Sequence, residues 1–289
     1  MPKVTRREFT AGLAGAAAGL AAARAHGEEK KIRPSVFGGI LVGVQSYTFR
    51  KFDLDRMITA MRSVGLSNVE LWDGHLDPAK ATTDADFQAV RRKFDEVGIK
   101  VSAYCVNFKP ASTDELIERS FRGAGLLGTN VMTASVQKPI VPRLDAYCVK
   151  HKVYLGLHNH WYGPSFKGDL SQEFDGPEDF EEALKGRSRY MSINLDIGHF
   201  SASGHDPVAF IREHHDRIVS LHIKDRNDDP ERSYTRFGLG KTPIREVARV
   251  LKQVHYKYAA NLEFEIEESD PTEGVRHAFE YFKKALESA

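Results

Sequence analysis

The chain repeats one pattern: a short, nearly continuous apolar run of strand length, then a longer segment whose apolar residues recur at helical spacing. The runs read as strands at Ile40–Tyr47, Asn68–Trp72, Val101–Asn107, Asn130–Ala134, Val153–His158, Met191–Asp196, Ile218–Ile223 and Ala260–Ile266. Helices are predicted at Leu54–Val64, Asp84–Val97, Thr113–Leu127, Leu144–Lys150, Pro177–Leu184, Pro207–His214, Pro243–Gln253 and Thr272–Leu286, with Gly98 and Gly128 as stop signals. The longest irregular stretch, 159–176, follows the fifth strand, and a loop of that length inside a compact domain is usually functional.

Eight strands alternating with eight helices predict an α/β fold, a closed parallel (β/α)8 TIM barrel, as one domain over residues 37–289. An open doubly wound sheet would carry a Gly-rich turn after its first strand. Here that strand runs into Gln45-Ser46-Tyr47-Thr48-Phe49, which has none.

Residues 1–25 depart from the pattern. They combine an Arg6-Arg7 pair, an Ala/Gly/Leu stretch from Ala11 to Ala22 and the small-x-small triplet Ala23-Arg24-Ala25. That order predicts a twin-arginine signal peptide, residues 26–36 as a polar linker, and a periplasmic or otherwise exported mature protein. The apolar stretch is well short of the roughly 20 residues a membrane span needs, so no stable insertion is expected after cleavage. Residues 1–25 carry +3, from Lys3, Arg6, Arg7 and Arg24 against Glu8; the whole chain carries +1, which leaves the remainder near −2. A near-neutral surface argues against nucleic acid as a partner and against a DNA-repair nuclease. Two cysteines, Cys105 and Cys148, are too few for a disulfide framework and read as buried thiols. A homo-oligomer is compatible with this composition.

The chemistry collects at strand ends. His158, Asp196, His222, Lys224, Glu263 and Glu265 close the last four runs, and His160 and His199 follow closely. Residues two apart share a face of a strand, and the C-terminal ends of barrel strands form one catalytic cup. Imidazoles and carboxylates there predict a divalent metal site. Glu70, in Val69-Glu70-Leu71-Trp72, is a candidate for binding a substrate hydroxyl, with a buried structural carboxylate as the alternative; Trp72, Tyr104, Trp161 and Tyr162 are candidates for an apolar wall against a sugar face.

The ordered segments GVQSYTF, VELW, NLDIGH, SLHIKDR, FGLGKTPIREV and LEFEIEE resemble the xylose isomerase-like superfamily, the sugar phosphate isomerases and epimerases that include D-tagatose 3-epimerase-type enzymes. The resemblance runs over nearly the whole mature chain. It implies one divalent ion, Mn favoured over Co, Zn, Fe or Mg, held by Asp196, His222 and Glu263, with His199 at the substrate. Relatives place a Glu on the fifth strand, whereas this chain reads His158-Asn159-His160. Imidazole is itself a good ligand, so His158 is expected to complete the metal set. The loss of that Glu removes one of the two acid/base groups of the epimerases, leaving Glu263, Glu265, His199 and Lys224 as candidates for proton transfer and Glu70, His160, His199, Trp161 and Tyr104 for binding substrate. The implied activity is isomerisation or epimerisation of an unphosphorylated keto sugar through an enediolate. A 3-keto-glycoside lyase and a non-catalytic sugar-binding protein are the alternatives.

Overall fold

The computed structural model describes residues 31–163, 170–227 and 234–289. The signal-peptide reading at 1–25 lies outside them, as do part of the linker and part of the 159–176 stretch. A two-residue strand, β1 (Val36–Phe37), pairs antiparallel with the start of β2 (Ile40–Gln45). Parallel neighbours follow in chain order: β3 (Asn68–Trp72), β4 (Lys100–Cys105), β5 (Val131–Ala134), β6 (Tyr154–His158), β7 (Met191–Asp196), β8 (Ile218–Ile223) and β9 (Ala259–Leu262). β9 closes on β2 through Leu41 opposite Ala259 to Val44 opposite Leu262. The predicted TIM barrel is therefore observed, as a single domain.

The helices are α1 (Leu54–Val64), α2 (Asp84–Val97), α3 (Asp114–Leu127), α4 (Val141–His151), α5 (Pro177–Leu184), α6 (Ile197–Ala202), α7 (Pro207–His214), α8 (Ile244–Gln253) and α9 (Thr272–Ser288). Side chains satisfy their first N–H groups: Asp53 caps α1, and Thr83 forms a capping box with Asp86 on α2. Gly98 and Gly128 end α2 and α3 with φ of 81° and 88°, the left-handed conformation expected of a C-terminal glycine. None of the helices among the described residues is long and apolar enough to cross a membrane.

Outward strand residues such as Val42, Val44, Val69 and Leu71 are buried under the helices, which is why the runs read as continuously apolar. The upper barrel interior is instead polar, holding Gln45, Glu70, Thr133, Ser220 and Asn261. Register sets these groups side by side: Gln45 opposite Glu70, His158 opposite Asn194, Asp196 opposite His222, and His222 opposite Asn261.

Three strands end earlier than the sequence pattern suggests. Ser46–Phe49 turns into a 3-10 helix, β4 stops at Cys105, and β9 stops at Leu262. Helix α6, absent from the predicted elements, begins directly after Asp196.

Candidate metal centre

Asp196 is both the last residue of β7 and the N-cap of α6. Its Oδ1 accepts the His199 N–H at 2.8 Å, which leaves Oδ2 to face the barrel axis. Gly198 lets α6 settle against β8, because a Cβ there would lie 3.0 Å from the Cβ and carbonyl oxygen of Lys224. The Glu263 N–H donates to the Ile223 carbonyl at 2.9 Å, continuing the ladder one residue past β9 and fixing that side chain over the barrel mouth.

Four residues expected as ligands converge. Glu263 Oε2 is 3.0 Å and Asp196 Oδ2 3.9 Å from His222 Nδ1. His158, Asp196 and His222 offer donor atoms all within 4.8 Å of one another. Asp196 Oδ2, His222 Nδ1 and Glu263 Oε2 are buried yet make no aligned hydrogen bond. Buried polar atoms that approach closely without such alignment are what a shared ion would satisfy. Charge points the same way: three carboxylates, Asp196, Glu263 and Glu265, surround the single ammonium of Lys224, and a divalent ion would offset the excess negative charge. The residues therefore fit a divalent metal, with mixed nitrogen and oxygen donors suited to Mn, Fe, Co or Zn.

A second group, His158, His160 and His199, also brings its nitrogens within 4.8 Å. His199 is an unfavourable ligand there, since Arg226 lies 2.6 Å from its Nδ1 and Lys224 Nζ 3.0 Å from its Nε2. The Trp161 N–H also donates to Nδ1, at 3.1 Å.

Burial and neighbouring charge set the protonation of the cup. Burial would raise Asp196 and Glu263, but Lys224 and His222 override it and hold both carboxylates below their ordinary range. Burial lowers Lys224 and His222, and their carboxylate partners more than reverse this, leaving both well above their usual values. His158, His160 and His199 are lowered chiefly by burial, His160 to about 4.

Lys224 is no rim group. It is 2% exposed, and its ammonium lies 2.8 Å from Asp196, 2.9 Å from Glu263 and 2.9 Å from Glu265. With three carboxylates around one ammonium, it is a fixed internal cation, and its pair with Glu265 lies inside the cup instead of at the rim.

Above this floor opens a cavity of ≈310 Å³ lined by Gln45, Tyr47, Trp72, Cys105, Asn107, Ser135, His158, His160, Asn194, His222, Glu263 and Glu265. Trp72 and Tyr47 meet edge to face at 5.0 Å and form its aromatic wall. His160 lines it as well, 4.4 Å from the His158 ring.

Three predicted substrate contacts fall elsewhere. Tyr104 is buried against Phe87 and donates its hydroxyl to the Leu76 carbonyl at 2.6 Å. An irregularity between Val69 and Glu70 pairs Val69 with Val101 but Glu70 with Ala103, so the extra residue Ser102 shifts the alternation and turns Cys105 inward in place of Tyr104. Trp161 stacks on Arg226 at 4.6 Å beside a separate cavity of ≈190 Å³. Glu70 lies below the floor, fully buried, with both oxygens accepting from protein side chains. Tyr162 donates to Glu173 at 2.8 Å. Both cysteines are free; Cys148 is buried, whereas Cys105 is only half-buried.

This barrel and cup define a protein class. The chain belongs to the xylose isomerase-like TIM barrel family, matched over residues 136–285. Similar solved structures include the IolI protein with a bound zinc atom, at 15% identity and TM-score 0.69, covering 86% of this chain and 98% of that one. L-ribulose 3-epimerase matches at 16% identity and TM-score 0.68, over 86% of this chain and 94% of its own. The probable 3-DHS dehydratase AsbF from Bacillus anthracis matches at 16% identity and TM-score 0.64, over 85% and 97%. No curated protein matches the sequence.

Proposed function

We propose that the protein is a divalent-metal-dependent isomerase or epimerase that removes the C–H proton beside the carbonyl of an unphosphorylated keto sugar. The observation that carries this reading is the meeting of Asp196 Oδ2, His222 Nδ1 and Glu263 Oε2 beneath a polar cavity with an aromatic wall. His158 supplies the fourth donor. When bound, the ion contributes Lewis-acid polarisation of the carbonyl and its neighbouring hydroxyl.

The protein's own groups do the rest. Glu265 lines the cavity and is not needed as a ligand, so it is the base that receives the C–H proton. Lys224, 2.9 Å away, holds its carboxylate in place. His160, kept neutral by burial, offers a ring nitrogen to a sugar hydroxyl from the β6 side. Trp72 and Tyr47 cover the sugar's apolar face and exclude water. The twin-arginine leader completes the proposal, because an exported enzyme meets unphosphorylated sugars.

Elimination is the second reading, favoured by one observation. Both carboxylates among the described residues lining the cavity, Glu263 and Glu265, follow β9, so the lining offers its carboxylates from one side. A base on one side suits proton removal followed by departure of a leaving group, as from a 3-keto-glycoside; a dehydratase is among the similar structures. Incubating the Mn2+-loaded protein with free ketoses and 3-keto-glycosides in deuterated water separates these outcomes. Deuterium in a recovered or epimerised sugar is expected for the first reading and an unsaturated product for the second. Absence of both exchange and product with every substrate would overturn the proposal.

A further inference from the structure

Glu70 carries a buried charge that the chemistry above leaves unused. Its side chain is wholly enclosed and absent from the cavity wall. Oε1 accepts from Gln45 Nε2 at 2.7 Å, Thr133 Oγ1 at 2.6 Å and His222 Nε2 at 2.8 Å. Oε2 accepts from Ser220 Oγ at 2.6 Å and Asn261 Nδ2 at 3.0 Å. Five donors from four other strands thus meet one carboxylate. Desolvating a carboxylate is costly, and such saturation is what makes it tolerable.

We propose that Glu70 is the positioning residue of the metal centre: by accepting the His222 Nε2–H, it fixes the ring so that the Nδ1 lone pair faces Asp196 and Glu263. A neutral imidazole has one N–H and one lone pair, so anchoring Nε2–H decides which nitrogen can ligate. Glu70 therefore governs ion affinity without touching ion or substrate. This inference rests on the metal reading above.

Titration calorimetry of the metal-free protein with Zn2+ tests it. Glu70→Gln keeps the side chain's size and is expected to weaken Zn2+ binding about 10- to 100-fold, the usual effect of removing a partner that orients a ligand. Thr133→Val and Ser220→Ala each remove one donor to Glu70 but leave the His222 contact, so they are expected to lower Tm while leaving Zn2+ affinity unchanged. Nitrogen-15 histidine NMR of the Zn2+-loaded wild type needs no variant: His222 must carry its proton on Nε2 and bind through Nδ1. A proton on Nδ1, or a folded Glu70→Gln protein that binds Zn2+ as tightly as wild type, overturns the positioning role alone. A wild type that takes up no Zn2+ overturns the metal reading and this inference with it.

Discussion

Glu263→Gln is expected to abolish turnover on every substrate while the barrel remains folded. Glu263 Oε2 lies 3.0 Å from His222 Nδ1 and 2.9 Å from Lys224 Nζ, where the floor of the cup meets the cavity. The amide keeps the shape but removes the negative charge that balances both the ion and the lysine. Because losing a partner that only orients a ligand already costs about 10- to 100-fold in affinity or activity, losing a ligand is expected to cost more than about 100-fold. The fold should stand, since the residue sits beyond β9 at the barrel mouth and the amide keeps its size. Metal content, kcat/KM and circular dichroism together check this. A folded variant that keeps its ion and turns over at the wild-type rate would remove Glu263 from the site.

Lys224→Met is expected to produce the largest loss of stability of any single change in the cup. The ammonium is buried among Asp196, Glu263 and Glu265, and removing it strands three carboxylates in a low-dielectric interior. Breaking a buried ion pair from one side costs about 3–5 kcal/mol. That is a large part of the roughly 5–15 kcal/mol that holds a typical domain together. Urea denaturation of the metal-free protein measures the loss. Added Zn2+ should recover part of it, because a divalent ion binds only the folded cup and supplies the missing positive charge. A change below about 1 kcal/mol, on the scale of an exposed pair, would show that Lys224 does not hold this cluster together.

Much of this arrangement was legible in the sequence because barrel strands advertise themselves twice. Apolar runs mark the strands, and polar residues at their ends mark the catalytic face. His158, Asp196, His222 and Glu263 could therefore be grouped although more than 100 positions separate the first from the last. What escaped was anything that depends on a local break in the period. The irregularity at Ser102 reverses Tyr104 and Cys105, and no alternation rule shows where such an extra residue falls. Helix α6 is six residues long, too short for helical periodicity to declare itself, although Asp196 followed three residues later by His199 carried the capping geometry. Glu70 looked like a substrate contact because strand position gives the face of a residue but not its depth. Its burial follows from five partners on four other strands, which only the closed barrel brings together. Trp161 lies past the end of β6, where the two-residue alternation no longer constrains direction.

Crystals of the Mn2+-loaded protein measured at the manganese absorption edge test the central claim most directly. One anomalous peak is expected in the cup, with donor atoms of His158, Asp196, His222 and Glu263 about 2.0–2.3 Å from it, the range of nitrogen and oxygen ligation to transition metals. A cup without anomalous density, or these four side chains turned into separate pockets, would contradict the account.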